Sequence, residues 1–286
     1  MTGRASTVRG GSAAARWRRL VRARMEEITR LSAGEVRVGP RFWDERAERL
    51  ADRAAEGART DPLLRRARRH VGPRTVVLDV GAGAGRFALP LAARAAEVVA
   101  VDVSEGMLGV LRREADRRGL ANVRTVHGAW PQVSGVTGDV AICAYVLPVV
   151  EDAAAFLRRL DAAARRRVFV CLGAGGAELL LDPVWRYFHG APRKPAPTYL
   201  DAVALLRELR IDPVVEVVEV PTTSRYATLE EAVDDYRRTL LLADTDETRA
   251  ELRALLGSWL VRRDGALRMP ARTMPAAVLA WTPTGT

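Results

Sequence analysis

A glycine-rich turn constrains this chain more than any other feature of its sequence. The stretch VVLDVGAGAGRFALPLA, residues 76–92, runs from a β-branched segment through Asp79 into Gly81, Gly83 and Gly85 and then becomes apolar again. Glycine suits backbone with positive φ, or backbone that must lie close to a ligand. The order strand, glycine turn, helix is the phosphate- or nucleoside-binding turn of doubly wound α/β sheets. The turn therefore predicts a site for a nucleotide-like cofactor.

Strand-like and helix-like segments alternate after this turn. TVVLDV, VVAVDV, VRTVH, DVAICAYV and RRVFVCLG are predicted strands, and VVEVVEVP and AAVLAWTP are the last two. Short runs of Val and Ile between helical segments are typical of strands that are buried on both faces. The pattern predicts an α/β fold with a doubly wound, mostly parallel sheet. Pro90 lies beyond the start of the first crossover segment, so that helix either starts late or is kinked.

The flanking segments predict a tail, a cap and a lid. Gly, Ser, Ala, Thr and Arg dominate the first residues, a composition that favours disorder. Apolar residues at helical spacing from Trp17 onward, and Asp61 before a proline as a helix start, predict a helical cap. A stretch rich in Pro and aromatics after the fifth strand is expected to be irregular, and the next insertion helical. The expected divisions are a tail at 1–14, a cap at 15–71 and a main domain at 72–286 with lid insertions around 174–210 and 224–264.

The charge and the cysteine content of the chain exclude few classes of function. The chain has 45 Lys and Arg against 35 Asp and Glu, a net charge of +10. The arginines are dispersed among acidic residues without interleaved aromatics, which favours a solvated surface over a nucleic-acid-binding one. Cys143 and Cys171 are too few for a disulfide or metal framework, and no apolar run reaches the ~18 residues of a membrane span. We therefore expect a cytoplasmic protein without a metal, and oligomeric state stays open.

The glycine spacing separates two cofactor classes. A dinucleotide fingerprint, GxGxxG, needs a third glycine where this chain has Arg86. Together, DVGAGAGR, VVAVDVSEGML and DVAICAYVLPVV resemble the class I S-adenosylmethionine-dependent methyltransferases of small-molecule type, and FWDERAERLA is similar to their N-terminal segment. The resemblance covers roughly residues 42–172. It implies a Rossmann-like seven-stranded sheet with the last strand antiparallel, and S-adenosyl-L-methionine as cofactor with S-adenosyl-L-homocysteine as product.

The resemblance also implies roles for individual residues. The glycines would pass under the methionyl part of the cofactor, and Asp102 would hold the ribose hydroxyls. Asp79 would shape the loop or meet the cofactor's amino group through water. Trp130 would cover the adenine or, alternatively, plug the sheet edge. The expected cofactor-binding residues are Trp43, Asp79, Gly81, Ala82, Gly83, Gly85, Asp102, Val103, Met107, Gly128, Ala129, Trp130 and Cys143.

Two adjacent aromatics, Phe42 and Trp43, begin a predicted helix upstream of the first strand. They either anchor that helix or close over the cationic sulfonium and exclude water. Helices outside the sheet with few core contacts are drawn from the less stable parts of a structure. We expect residues from about 15 to 57 to become ordered when the cofactor binds.

Residues after the fourth and fifth strands predict the acceptor side. Tyr145 is expected nearest the transferred methyl, and His189 is the second catalytic candidate because imidazole titrates near neutrality. Trp185, Tyr187 and Tyr226 form the predicted pocket wall. The sequence CAYVL stands where base-amine methyltransferases carry NPPY or DPPY, so a small organic acceptor is favoured. Methylation of RNA or protein, and a non-catalytic nucleoside-binding module on the same fold, stay open.

Overall fold

The computed structural model describes residues 11–32, 38–58 and 60–284. The helices are α1 (Ala13–Leu31), α2 (Pro40–Asp44), α3 (Ala47–Ala58), α4 (Pro62–Ala67), α5 (Ala88–Ala92), α6 (Glu105–Arg117), α7 (Ala153–Ala163), α8 (Gly176–His189), α9 (Tyr199–Glu208), α10 (Leu229–Thr239) and α11 (Asp246–Trp259). The strands are β1 (Val76–Val80), β2 (Glu97–Asp102), β3 (Val123–His127), β4 (Gly138–Ala144), β5 (Ala164–Gly173), β6 (Val214–Pro221), β7 (Val261–Arg263), β8 (Ala266–Arg268) and β9 (Thr273–Trp281). Much of the tail predicted at 1–14 falls outside the described residues, and residues 13 and 14 already belong to α1.

Seven strands form one sheet in the order β3-β2-β1-β4-β5-β9-β6. Strands β1 to β5 pair in parallel, whereas β9 pairs antiparallel with both β5 and β6. The predicted doubly wound sheet with an antiparallel last strand is confirmed. The strand order reverses between β1 and β4, and ligands of such sheets bind in the crevice at the carboxyl ends of the strands around that point.

Alternate residues of the central strands enter two apolar cores, one on each face of the sheet. Leu78 belongs to the first core and its neighbour Val77 to the second, and neither is exposed. Helix α1 is part of the first core: Trp17 is fully buried there, and its indole Nε1 donates to the Val150 carbonyl oxygen at 2.8 Å. The first cap helix is therefore integral to the main fold.

Helix α5 resolves the ambiguity at Pro90. The helix begins at Ala88, so the proline lies in its first turn, where its missing N–H is not required. The alternative of a late helix start is confirmed.

The segment 174–210, expected to be irregular, instead contains α8 and α9. Pro183 lies inside α8 and is exposed, while the next residues, Val184 and Trp185, are buried in a third apolar core. Burial of this face stabilises the helix despite the donor that proline lacks. Helices α10 and α11, which the sequence predicts, complete this third core, and the β7–β8 hairpin follows α11. No described helix combines the length and apolar character needed to cross a membrane.

Candidate functional site

A cleft of about 540 Å³ lies at the carboxyl edge of the sheet, around the ends of β1, β2 and β4. Residues of α2 and α3 and the loop after β6 complete its wall. Most of the expected cofactor residues meet there, together with one catalytic candidate. The sequence-predicted residues that line the cleft are Trp43, Gly81, Ala82, Gly83, Asp102, Val103, Met107, Gly128, Trp130 and Tyr145.

The three glycines of the turn all have positive φ, at +74°, +52° and +90°. A Cβ on Gly81 would lie 2.2 Å from Val146 Cγ2, and a Cβ on Gly85 would lie 2.7 Å from Leu89 Cγ. A Cβ on Gly83 would meet only Met107 Sδ, at 4.0 Å. Gly81 and Gly85 are thus required for internal packing, whereas Gly83 presents bare backbone to the cleft.

Asp102 ends β2 and is already oriented by the glycine turn. Its Oδ2 accepts from the Gly83 amide at 2.8 Å, and its Oδ1 accepts from the Ser104 amide at 2.9 Å. Burial raises the pKa of Asp102, and the backbone donors oppose that shift. Since each carboxylate oxygen has two lone pairs, the fixed carboxylate keeps acceptor capacity for a pair of hydroxyls such as a ribose diol.

Asp79 lies in β1, directly before the glycine turn, and does not line the cleft. The residue is 1% exposed, and its Oδ2 has no hydrogen-bond partner among the described residues. Desolvation, together with the nearby Asp102 charge, raises the pKa of Asp79 to about 7. A buried carboxylate oxygen without a donor favours a cation or a water that arrives with a ligand.

Tyr145 follows β4 with a left-handed backbone conformation, φ +61°, which is costly for a residue with a side chain. Its amide donates to the Cys171 carbonyl oxygen at 2.8 Å. The residue is 40% exposed at the cleft. Desolvation raises the pKa of the Tyr145 hydroxyl, which therefore stays protonated at neutral pH.

Arg86 and Asp61 form an ion pair at the edge of the cleft that the sequence did not reveal. The guanidinium Nη2 lies 2.5 Å from Asp61 Oδ2, and the Arg86 Cζ lies 5.5 Å from the Tyr145 ring centroid. Asp61 Oδ1 accepts from the amides of Leu63 and Leu64, so the predicted helix cap is confirmed. In the sequence, Arg86 indicated only that the third glycine of a dinucleotide fingerprint is missing. Its ion-pair partner, Asp61, is 25 residues away, so no local pattern joins the two residues.

Three further cofactor candidates do not line the cleft. Gly85 does not line the cleft, and a Cβ at this position would lie close to Leu89 and Leu111. Cys143, in β4, is fully buried in the first core on one face of the sheet. Ala129 is exposed beside the cleft rather than within it.

The predicted pocket wall is also placed elsewhere. Trp185 and Tyr226 are buried in the third core, where the Tyr226 hydroxyl donates to Asp235 Oδ2 at 2.7 Å. Tyr187 is 64% exposed on α8. His189 Nε2 lies 2.7 Å from the Leu240 carbonyl oxygen and joins α8 to the end of α10. Trp185, Tyr226 and His189 thus pack the helical insertion against itself, and none of the four residues is among those that line this cleft.

Comparison with known proteins agrees with this architecture. Residues 77–166 match the sequence profile of the family described as a methyltransferase domain. An uncharacterized protein of Haemophilus influenzae is 30% identical over 143 residues, which cover 49% of this chain and 53% of that protein. The chain thus spans about half the length of this curated relative.

Two solved structures share the fold at low sequence identity. The YcgJ protein of Bacillus subtilis is 15% identical, with a TM-score of 0.53 over 78% of this chain and 99% of its own. A putative methyltransferase of Bacillus halodurans is 17% identical, with a TM-score of 0.52 over 78% of this chain and 97% of its own.

The residues that match the family include β1, the glycine turn and Asp102, which are the parts of the fold that build the cleft. Residues 77–166 are thus similar to a methyltransferase domain, and the strand order and the geometry of this turn are those of a doubly wound α/β sheet.

Proposed function

We propose that this protein transfers a methyl group from S-adenosyl-L-methionine to a small organic acceptor. The observation that carries the proposal is one continuous cleft that extends from Asp102 to Tyr145. Its volume of about 540 Å³ lies within the ~300–1,000 Å³ of small-molecule sites. A cofactor ribose at Asp102 and an acceptor beside Tyr145 would share this cleft.

The inner part of the cleft suits the cofactor. Gly83 offers open backbone for the methionyl part, and Asp102 offers a preoriented carboxylate for the ribose hydroxyls. The unpartnered Asp79 oxygen below the turn would meet the cofactor's amino group through a water. Trp43 and Trp130 would supply apolar wall for the sulfonium and the adenine, respectively. When bound, the cofactor supplies an electrophilic methyl group on a sulfonium.

The outer part of the cleft suits a compact, partly apolar acceptor. Tyr145 and Val149, 40% and 37% exposed, present apolar surface there. Arg86 and Thr223 lie on the same wall and offer a guanidinium and a hydroxyl to a polar group of the acceptor. An apolar site with few polar groups orients a small molecule.

Positioning would carry the catalysis. Among the described residues that line the cleft, the ionisable side chains are Arg86, Asp102 and Tyr145. Arg86 is paired with Asp61, Asp102 is assigned to the ribose, and the raised pKa of Tyr145 keeps its proton in place. Orientation alone can supply ~7–11 kcal/mol of a displacement barrier. The acceptor would therefore present a lone pair that is already free at neutral pH.

Formation of S-adenosyl-L-homocysteine tests this proposal. Purified protein is incubated with S-adenosyl-L-methionine and either a small-metabolite fraction or total RNA, and the product is quantified by mass spectrometry. We expect turnover with the metabolite fraction that moderate salt does not abolish. Turnover with RNA alone, lost steeply as salt rises, would contradict the small acceptor.

A further inference from the structure

We propose that Asp44 is a positioning residue that latches α2 onto the start of α6 and thereby holds Trp43 over the cofactor. The inference rests on the proposed cofactor site. It concerns residues that do not touch the cofactor themselves, apart from Trp43 at the cleft wall.

The latch consists of hydrogen bonds from α6 to one carboxylate oxygen of α2. Asp44 Oδ1 accepts from the Ser104 hydroxyl at 2.6 Å and from the Gly106 amide at 2.9 Å. Ser104 is the N-cap of α6 and accepts from the Met107 amide at 3.0 Å. A carboxylate from α2 therefore completes the cap of another helix, where the helix dipole favours negative charge.

The latch also connects directly to the predicted ribose carboxylate. The Ser104 amide donates to Asp102 Oδ1, while its hydroxyl donates to Asp44 Oδ1. One fully buried serine thus links α2 to the carboxylate that ends β2. The position of α2 is set by the same turn that orients Asp102.

Gly106 allows the two backbones to approach closely. A Cβ at this position would lie 3.0 Å from Asp44 Cα and 3.2 Å from Asp44 Cβ. At Gly109, in the next turn of α6, the nearest atoms to an added Cβ are arginine side-chain ends at 3.8 and 3.9 Å. The absence of a side chain therefore allows α2 to approach α6 at Gly106, whereas at Gly109 no backbone of another described segment approaches the glycine.

Trp43 is the residue that this docking places. It packs against a small apolar cluster that contains Ala84, Met107 and Val110, and two members of that cluster, Ala84 and Met107, line the cleft with it. Asp44 follows Trp43 directly, so holding Asp44 fixes the tryptophan at the cleft wall. If α2 docks less often on α6, a smaller fraction of the protein can bind the cofactor. The apparent dissociation constant of the cofactor then rises in inverse proportion to that fraction.

The first experiment compares two substitutions at Asp44 by calorimetric titration with S-adenosyl-L-homocysteine. Asp44→Ala removes the acceptor and should weaken binding about tenfold or more. Asp44→Asn keeps an Oδ1 acceptor and should stay within about threefold of the wild type. Equal affinity of wild type and Asp44→Ala would overturn the latch, whereas wild-type protein without affinity for this ligand would overturn the proposed function.

The second experiment uses a matched glycine pair and covers the case in which Asp44→Ala fails to fold. Gly106→Ala and Gly109→Ala add the same methyl group to the same helix. Gly106→Ala should weaken binding about fivefold or more because α2 must move, and Gly109→Ala should bind as the wild type does. Equal affinities for the two variants would contradict the latch.

A double-mutant cycle separates positioning of Trp43 from a general structural role. If Asp44 acts through the tryptophan, adding Asp44→Ala to Trp43→Ala should weaken binding no further. Independent, additive losses would show that Asp44 acts by another route and would refute the positioning role.

Discussion

The carboxylate of Asp102 and the amide of Gly83 lie 2.8 Å apart and join the end of β2 to the glycine turn. This hydrogen bond fixes the Asp102 carboxylate against the backbone of the turn at the wall of the cleft.

Asp102→Ala should weaken the binding of S-adenosyl-L-homocysteine by roughly ten- to a hundredfold. The substitution removes the predicted acceptor of the ribose hydroxyls, and hydrogen bonds to charged groups contribute ~1.5–3 kcal/mol. Asp116→Ala, at an exposed position on α6, is the control and should leave affinity unchanged. An unaltered dissociation constant for Asp102→Ala, measured by calorimetry, would remove this carboxylate from the ribose role.

Gly81→Ala and Gly83→Ala should fail in different ways. A Cβ on Gly81 overlaps Val146 at 2.2 Å, so this variant should be strongly destabilised. A Cβ on Gly83 enters open space beside Met107, so this variant should keep a folded domain and lose cofactor affinity. Thermal unfolding and calorimetric titration distinguish the two results. Gly83→Ala protein that binds as well as the wild type would place the cofactor elsewhere.

Asp79 should make the unliganded protein less stable as pH rises. Its pKa is about 7 in the folded protein and ~3.9 in an unfolded chain, so the native state binds more protons between these values. The stabilising contribution of protonated Asp79 is complete below pH ~4, is lost as pH rises to ~7, and amounts to ~4 kcal/mol.

Asp79→Asn should remove this pH dependence, because an amide does not ionise. Urea unfolding of both proteins at several pH values between 4.5 and 8 gives the difference between their free energies of unfolding. That difference should grow in favour of Asp79→Asn as pH rises. A constant difference would show that Asp79 ionises normally.

Tyr145→Phe should retain most activity. The hydroxyl keeps its proton at neutral pH, so we expect the ring to contribute through contact with the acceptor, and kcat should fall less than about tenfold. Tyr145→Ala, which also removes the ring, should raise the KM for the acceptor more than Tyr145→Phe does. A loss of ~10²–10⁴ in kcat for Tyr145→Phe would instead indicate proton transfer by the hydroxyl.

Local patterns in the sequence predicted the sheet and the inner half of the site. The valine runs of β1 and β2, and the spacing from Gly81 to Asp102, are set by short-range requirements of strand and turn. Asp61 as a helix cap is of the same kind, since a cap contacts residues two and three positions away. Such signals can be read from adjacent residues.

Long-range contacts and the use of aromatics could not be predicted in this way. The Asp44–Gly106 hydrogen bond joins residues 62 positions apart and has no local pattern. Trp185 and Tyr226 have the amphipathic side chains of a pocket wall, yet the same surface packs equally well inside a helical core. Pro183 led to the prediction of an irregular segment where α8 forms. Burial of neighbouring side chains outweighs the free-energy cost of the backbone donor that the proline lacks.

Paired calorimetric titrations with S-adenosyl-L-homocysteine and with NAD test the central claim most directly. Arg86 replaces the third glycine of a dinucleotide fold, and Gly83 and Asp102 present the surfaces that the proposed cofactor needs. We predict saturable binding of S-adenosyl-L-homocysteine and no measurable binding of NAD. Tight binding of NAD without binding of S-adenosyl-L-homocysteine would contradict the assignment of the cleft to a methyl donor.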